Sequence, residues 1–136
     1  MICSNAAGSH KLPVYMIGKS VKPRALKNLH PSKYPVKYAA SKNAFMTSEL
    51  FNGWFQMFAD SVRRYHGPNK PILLILDNFA GHTIKTENKQ IKIEFLPPKT
   101  TSVLQPLDLG IIRNFKYFYG KELQQKIIDY SKESSF

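Results

Sequence analysis

The stretch Pro71-Ile-Leu-Leu-Ile-Leu-Asp77-Asn78-Phe-Ala-Gly-His82 constrains this chain more than any other. Ile72 to Leu76 is an unbroken apolar run, bounded by Pro71 and by Asp77-Asn78. A short apolar run with such boundaries reads as a strand buried on both faces, which points to an α/β fold. The sequence then sets a carboxylate where the strand ends. Open α/β sheets bind ligands beyond the carboxyl ends of their strands, so chemistry is expected at Asp77. The local alternative is a turn, because Asp and Asn both hydrogen-bond well to nearby backbone.

The rest of the chain supplies partners for that strand. Met1–Ala7 and Leu12–Ile17, separated by the turn residues Gly8-Ser9-His10, read as a hairpin. Residues 19–43 read as an irregular loop, because Pro23, Pro31 and Pro35 break any helix. Residues 44–65 carry the clearest helical signal. Thr47 or Ser48 can cap it, Glu49 lies in its first turn, and Phe51, Trp54, Phe55, Phe58 and Val62 fall on one face. That stripe is core, and His66-Gly67-Pro68-Asn69 ends the helix. Residues 83–90 form a short polar helix or turn, and Ile91–Leu96 alternates as a half-buried strand does. Two strands joined by so short a crossover are most simply parallel. After Pro97-Pro98 and the polar turn Lys99–Ser102, a second helix is expected from Leu104 or Pro106 to Tyr130, followed by a frayed tail at 131–136. Asp108 shares a face of it with Ile111, Ile112, Phe115, Phe118 or Tyr119, and Leu123. A carboxylate on a core-facing stripe needs a partner or a metal. The alternative is a first-turn acid that complements the helix dipole.

Charge narrows the partners. Twenty Lys and Arg face nine Asp and Glu among 136 residues, for a net charge of +11. The first 48 residues hold eight of those cations and no acid, and the first carboxylate is Glu49. Lys19, Lys22, Arg24, Lys27, Lys33 and Lys37 crowd the 19–43 loop, with Tyr34 and Tyr38 among them. Such a loop can follow a phosphate backbone and stack on bases, which makes DNA the expected partner. The alternative is an exposed loop whose tyrosines pack back on the core. No membrane partner is expected, because the cations alternate with Pro and Gly and no apolar run spans a bilayer. The single cysteine, Cys3, excludes a disulfide framework and fits a reducing compartment. With no signal-peptide pattern at the N-terminus, an intracellular, soluble protein is expected.

Thirty residues lie between Asp77 and Asp108, and both can face one cleft at the end of the sheet. Paired carboxylates are what Mg²⁺ requires. Two metals about 4 Å apart can activate a water and stabilise the leaving oxygen in phosphodiester cleavage.

Several motifs carry a resemblance. They are Ser4-Asn-Ala-Ala-Gly-Ser-His-Lys-Leu-Pro13 through Ile17-Gly-Lys-Ser20, Leu74-Ile-Leu-Asp-Asn78 with His82, Phe95-Leu-Pro-Pro-Lys-Thr-Thr-Ser102, and Leu104-Gln-Pro-Leu-Asp-Leu-Gly110 with Phe115-Lys116. Together they resemble the DDE superfamily endonuclease domain, in its pogo/Tigger and jerky-like branch of transposase-derived proteins. The resemblance runs from the first residues to about Tyr119, and residues 1–136 are expected to form one partial domain of that kind. It implies an RNase H-like mixed sheet flanked by helices and Mg²⁺- or Mn²⁺-dependent DNA cleavage and strand transfer. No small organic cofactor is implied, and a DNA-acting role places the protein in the nucleus. It also implies a triad of acids, with Asp77 as the second and Asp108 as the third. Asn78 and His82 match supporting motif positions.

The family's first acid lies on a first, central strand upstream of the segment that begins here at Met1, so that strand is expected to be missing and the two-metal site incomplete. Its loss removes about three or four apolar side chains at roughly 1.5–3 kcal/mol each. Against a total stability of roughly 5–15 kcal/mol, residues 1–136 alone should be marginally stable. The expected function is a fragment of a transposase-type catalytic domain, inactive by itself. The alternative is a non-catalytic, transposon-derived module that binds nucleic acid or a protein.

Overall fold

The computed structural model describes residues 1–85 and 88–133. The chain divides into two compact units, Met1–Phe95 and Leu96–Phe136.

The first unit is built on one helix, α1 (Ser48–His66). Thr47 caps it: its Oγ1 accepts the Leu50 N–H at 3.3 Å. Glu49 lies in the first turn and Arg63, Arg64 and His66 in the last, as the helix dipole favours. Phe51, Trp54, Phe55, Phe58 and Val62 are all buried, so the expected stripe is the core. Two pairs of parallel strands complete it. β1 (Tyr15–Gly18) pairs with β2 (Lys37–Ala40), and β3 (Ile72–Leu76) with β4 (Ile91–Phe95). Tyr15, Leu74, Leu76 and Ile91 join the stripe in one apolar cluster. Burying each such side chain contributes about 1.5–3 kcal/mol.

The N-terminal segment doubles back as expected. Ser4 bridges Lys11 in antiparallel sense, and the Tyr15 N–H reaches the Met1 carbonyl at 3.0 Å. His10, in the turn, is buried. Its Nδ1 lies 3.2 Å from His66 Nε2, its Nε2 lies 3.1 Å from Ser61 Oγ, and its ring stacks on Tyr65 at 4.2 Å. This cluster fastens the hairpin to the end of α1.

Four expectations are corrected. β3 is buried on one face, not two: Leu74 and Leu76 point inward, while Leu73 and Ile75 are 56% and 48% exposed. Successive strand side chains point to opposite faces, and no layer covers the outer one among the described residues. The 19–43 segment is not irregular throughout. It contains β2 and two 3₁₀ turns, Arg24–Leu26 and Pro31–Lys33. Its prolines stop an α-helix, yet Pro31 suits the first position of a turn, and β2 follows Pro35 once the Lys37 N–H finds the Val14 carbonyl at 2.9 Å. Of the helix or turn expected over 83–90, no helix occurs among residues 83–85 and 88–90 and a turn is present at residues 89–90; residues 86 and 87 lie outside the described ones.

The fourth correction concerns the second unit. In place of one helix from 104 or 106 to 130 it has a short α2 (Thr101–Leu104), a wide π-type turn (Leu107–Ile111) and α3 (Ile112–Glu133). The break is at Gly110, whose φ of 151° and ψ of −30° are non-helical and suit glycine alone. No residue of α3 is buried, so the apolar stripe expected to face a core is exposed, and Asp108 is exposed with it. No layer of this unit covers that face. α3 runs on through residues 131–133, and residues 134–136 lie outside the described ones.

Candidate active site

Asp77 follows the last residue of β3, and the Leu76–Phe95 pairing with β4 fixes where the strand delivers it. The turn that follows is locked onto α1. His82 closes it, donating its backbone N–H to the Phe79 carbonyl at 2.9 Å. A Cβ on Gly81 would come within 2.5 Å of the Phe79 ring and 3.3 Å of the Met46 carbonyl, so glycine is needed there. The His82 ring is only 10% exposed and lies against Phe51 of α1 at 4.6 Å and Phe79 at 5.4 Å. Asn52 adds a second tie. Its Nδ2 donates to the Thr83 carbonyl at 2.7 Å, and its Oδ1 accepts the Lys85 N–H at 2.9 Å.

His82 Nδ1 lies 3.3 Å from the Asp77 main-chain carbonyl and 2.8 Å from Asp77 Oδ1. Both oxygens can only accept, so a proton on Nδ1 can serve either, and the shorter contact is the one to the carboxylate. Asp77 Oδ1 is buried with His82 Nδ1 as the polar group beside it. The side chain as a whole is 34% exposed, so solvent and ions can reach it. Asn78, beside it, is exposed.

Asp108 belongs to the second unit, in the wide turn before α3, where its N–H donates to the Gln105 carbonyl at 3.0 Å. Gln105 Oε1 is buried and receives no hydrogen bond among the described residues. The expected site residues therefore fall into two groups: Asp77, Asn78 and His82 share one turn of the first unit, and Asp108 lies in the second.

A divalent cation fits Asp77 as one carboxylate ligand. Mg²⁺ commonly takes one or two carboxylates and keeps water or phosphate oxygens in its other positions. No group of three or more His, Cys, Asp or Glu that could hold a metal occurs among the described residues, so they do not by themselves assemble a two-metal centre.

Lys19, Lys22, Arg24, Lys27, Lys33 and Lys37 are all exposed. None of them forms an ion pair among the described residues, where the ion pairs are His82–Asp77 and Lys92–Glu94. Tyr38 is used locally, its hydroxyl donating to the Ser20 carbonyl at 2.6 Å, which favours the packing role over base stacking at that position. No described helix is long and apolar enough to cross a membrane.

The family model described as DDE superfamily endonuclease matches residues 1–135. The chain belongs to the DDE superfamily endonucleases. Within that family it is 36% identical to Tigger transposable element-derived protein 7 of Homo sapiens, over 93% of this chain and 25% of the relative. It is 34% identical to the Jerky protein of Mus musculus, over 85% of this chain and 22% of the relative. To CENP-B homolog protein 2 of Schizosaccharomyces pombe it is 32% identical, over 88% and 24%. This DDE-family chain thus spans about a quarter of the length of these relatives. No solved structure matches it significantly.

Two residues of structural weight were not singled out from the sequence. Asn52 sits among the apolar positions of α1, and an amide so placed in an amphipathic helix is the one signal that could have marked it. His10 lies in a turn of small polar residues, where nothing local distinguishes a buried ring from an exposed one.

Proposed function

We propose that this chain is part of a transposase-type catalytic domain for metal-dependent DNA phosphodiester cleavage and strand transfer, with Asp77 and Asp108 as two of its metal-holding acids. The observation that carries this reading is the carboxylate of Asp77 at the carboxyl end of β3, 34% exposed and held beside His82, in a chain of the DDE superfamily. A bound Mg²⁺ or Mn²⁺ would polarise the scissile phosphodiester and lower the pKa of a bound water. The chain's own residues have simpler tasks. Asp77 offers an anionic ligand from a rigid strand end. The exposed cations of residues 19–37 neutralise backbone phosphates and hold the polyanion. Asp108 supplies the third acid of the triad.

The domain architecture assigned here is RNase H-like, with a further central strand, and the first acid, supplied from outside these 136 residues. The triad as counted here is two acids of three, so residues 1–136 alone are assigned no cleavage activity. DNA as partner and the nucleus as location follow from the same reading, and an origin in a transposable element is in keeping with the name of one relative.

A second reading is favoured by one observation, the six exposed cations that form no ion pair among the described residues. On it the chain binds nucleic acid without cutting it. The two readings separate in a nicking assay on supercoiled DNA with Mg²⁺ or Mn²⁺, using a longer chain that supplies an upstream acid. Metal-dependent nicking supports the catalytic reading. Binding without nicking, in every metal tried, supports the other.

A further inference from the structure

We propose that the cavity between the end of α1 and the starts of β3 and β4 is a phosphate site, where Arg63, Lys89, Asn69 and Asn88 hold one backbone phosphate of bound DNA. The inference rests on DNA being the partner, as proposed above, and is independent of cleavage. The cavity measures about 500 Å³. Arg63 and Lys89 both line it, both are exposed, and neither forms an ion pair among the described residues. They are far apart in sequence and meet because β4 pairs with β3: Ile72 lies opposite Ile91, and its N–H donates to the Gln90 carbonyl at 2.9 Å. That pairing sets Lys89 beside the loop that leaves α1.

Neutral donors complete the lining. Asn88 Oδ1 accepts the Gln90 N–H at 2.9 Å, which fixes the amide and leaves its Nδ2 without an acceptor among the described residues. The Asn69 side chain, exposed in the loop between Pro68 and Pro71, also makes no hydrogen bond among them. No Asp or Glu lines the cavity among the described residues. Carbonyls at a helix end would repel an anion, but these are answered. Gln90 Nε2 donates to the carbonyls of Gly67 at 2.6 Å and Lys70 at 3.1 Å, and the Gly67 N–H meets that of Arg63 at 3.0 Å. Cations that only complement the helix end need neither a cavity nor amide donors beside them. Two cations with two unspent amides and no acid suit an oxyanion, because charge-assisted hydrogen bonds are the strong ones. From Pro71 to Asp77 the extended chain covers about 20 Å. A phosphate held at that distance positions the duplex without touching the reacting bond.

The test uses the 136-residue chain, ¹⁵N-labelled. Inorganic phosphate, titrated against chloride at constant ionic strength, is expected to shift the Asn69, Asn88 and Lys89 amides saturably, and the Arg63→Gln, Lys89→Gln double variant to lose the response. A short duplex DNA is expected to shift the same amides. Arg63→Gln and Lys89→Gln should each weaken duplex binding about threefold to tenfold, with little change in sequence preference. Asn69→Ala should weaken it as well, a loss that diffuse surface charge does not produce. These residues are exposed, so each variant should melt within about 3 °C of wild type; if one does not fold, the wild-type titrations decide. Shifts no greater in phosphate than in chloride overturn the site. Saturable phosphate shifts with wild-type duplex affinity in all three variants make it a site for free anions and overturn its assignment to DNA. Both results leave the cations of residues 19–37 as the DNA contact. No duplex binding by the wild type overturns DNA as the partner, and the inference with it.

Discussion

Asp77 is held at the end of β3 by His82, which meets both its carbonyl and its carboxylate, and the residues that do this were unevenly legible. A carboxylate at the end of an apolar run is visible from sequence, because β3 is five consecutive apolar residues and the polar boundary is sharp. The ring that lies against Phe51 is not, because His82 and Phe51 are thirty-one positions apart and no local pattern joins them. The same holds for His10 and its contacts at Ser61, Tyr65 and His66. Burial first, and the neighbouring His66 second, lower the His10 pKa below its ordinary 6.5. The unfolded chain then binds the proton more readily than the folded one. The stabilisation is present above pH 6.5 and is lost as pH falls through that value towards the folded pKa. Thermal melts at pH 7 and pH 5 should show it as a lower Tm at pH 5, and His10→Gln should reduce the difference. Cys3 works in the other direction: burial pushes its thiol up to about 11. Alkylation by iodoacetamide at pH 8 should be slow in the folded chain and fast after denaturation. Equal rates would mean that the half-buried Cys3 is freely accessible in the folded chain.

At the scale of elements, α1 was the most legible. Its cap, its five-residue buried face and its glycine stop all follow from spacing, since an amphipathic helix writes its contacts at i, i+3, i+4 and i+7. Trp54→Ala should therefore cost about 3–5 kcal/mol, measured by chemical denaturation, because Trp54 is 3% exposed at the centre of the cluster. A loss below about 1 kcal/mol would place the core elsewhere. The parallel pairing of β3 with β4 was legible from the short crossover. β2 was not, because its Lys-Tyr-Ala-Ala, exposed at Lys37 and half-buried after it, has neither alternation nor branched side chains and is made a strand by its neighbour β1. Periodicity also overstated two faces. It marked β3 as covered on both sides and the Asp108 helix as packed, since it measures the apolar content of a face and carries no information on what lies over it. The kink at Gly110 was missed for a related reason: glycine inside a helical pattern signals weakness without saying whether the backbone leaves the helix.

Taken as a whole, the molecule combines a small core with a strongly basic surface. One face of β3 and the whole of α3 leave large apolar side chains exposed. Residues 1–136 alone should accordingly unfold below about 50 °C. A cooperative transition well above that would show that the described core suffices. The charge has its own consequence. If the six exposed cations of residues 19–37 each meet a phosphate, log K for duplex DNA should fall with log salt at a slope of about −5. Alanine at Lys22, Arg24 or Lys27 should each reduce that slope by about 1, with little change in sequence preference. The family was legible from motifs that sit mostly in turns and strand ends, where side-chain identity is set by chemistry more than by packing.

The proposed chemistry stands or falls on the two acids. The decisive measurement is Mg²⁺- or Mn²⁺-dependent nicking of supercoiled DNA by a longer chain that nicks as wild type, compared with its Asp77→Asn and Asp108→Asn variants. Each substitution should reduce nicking to background while DNA binding, measured at the same salt, is retained. If either variant nicks at the wild-type rate, that residue is not one of the metal-holding acids, and the site proposed here is wrong.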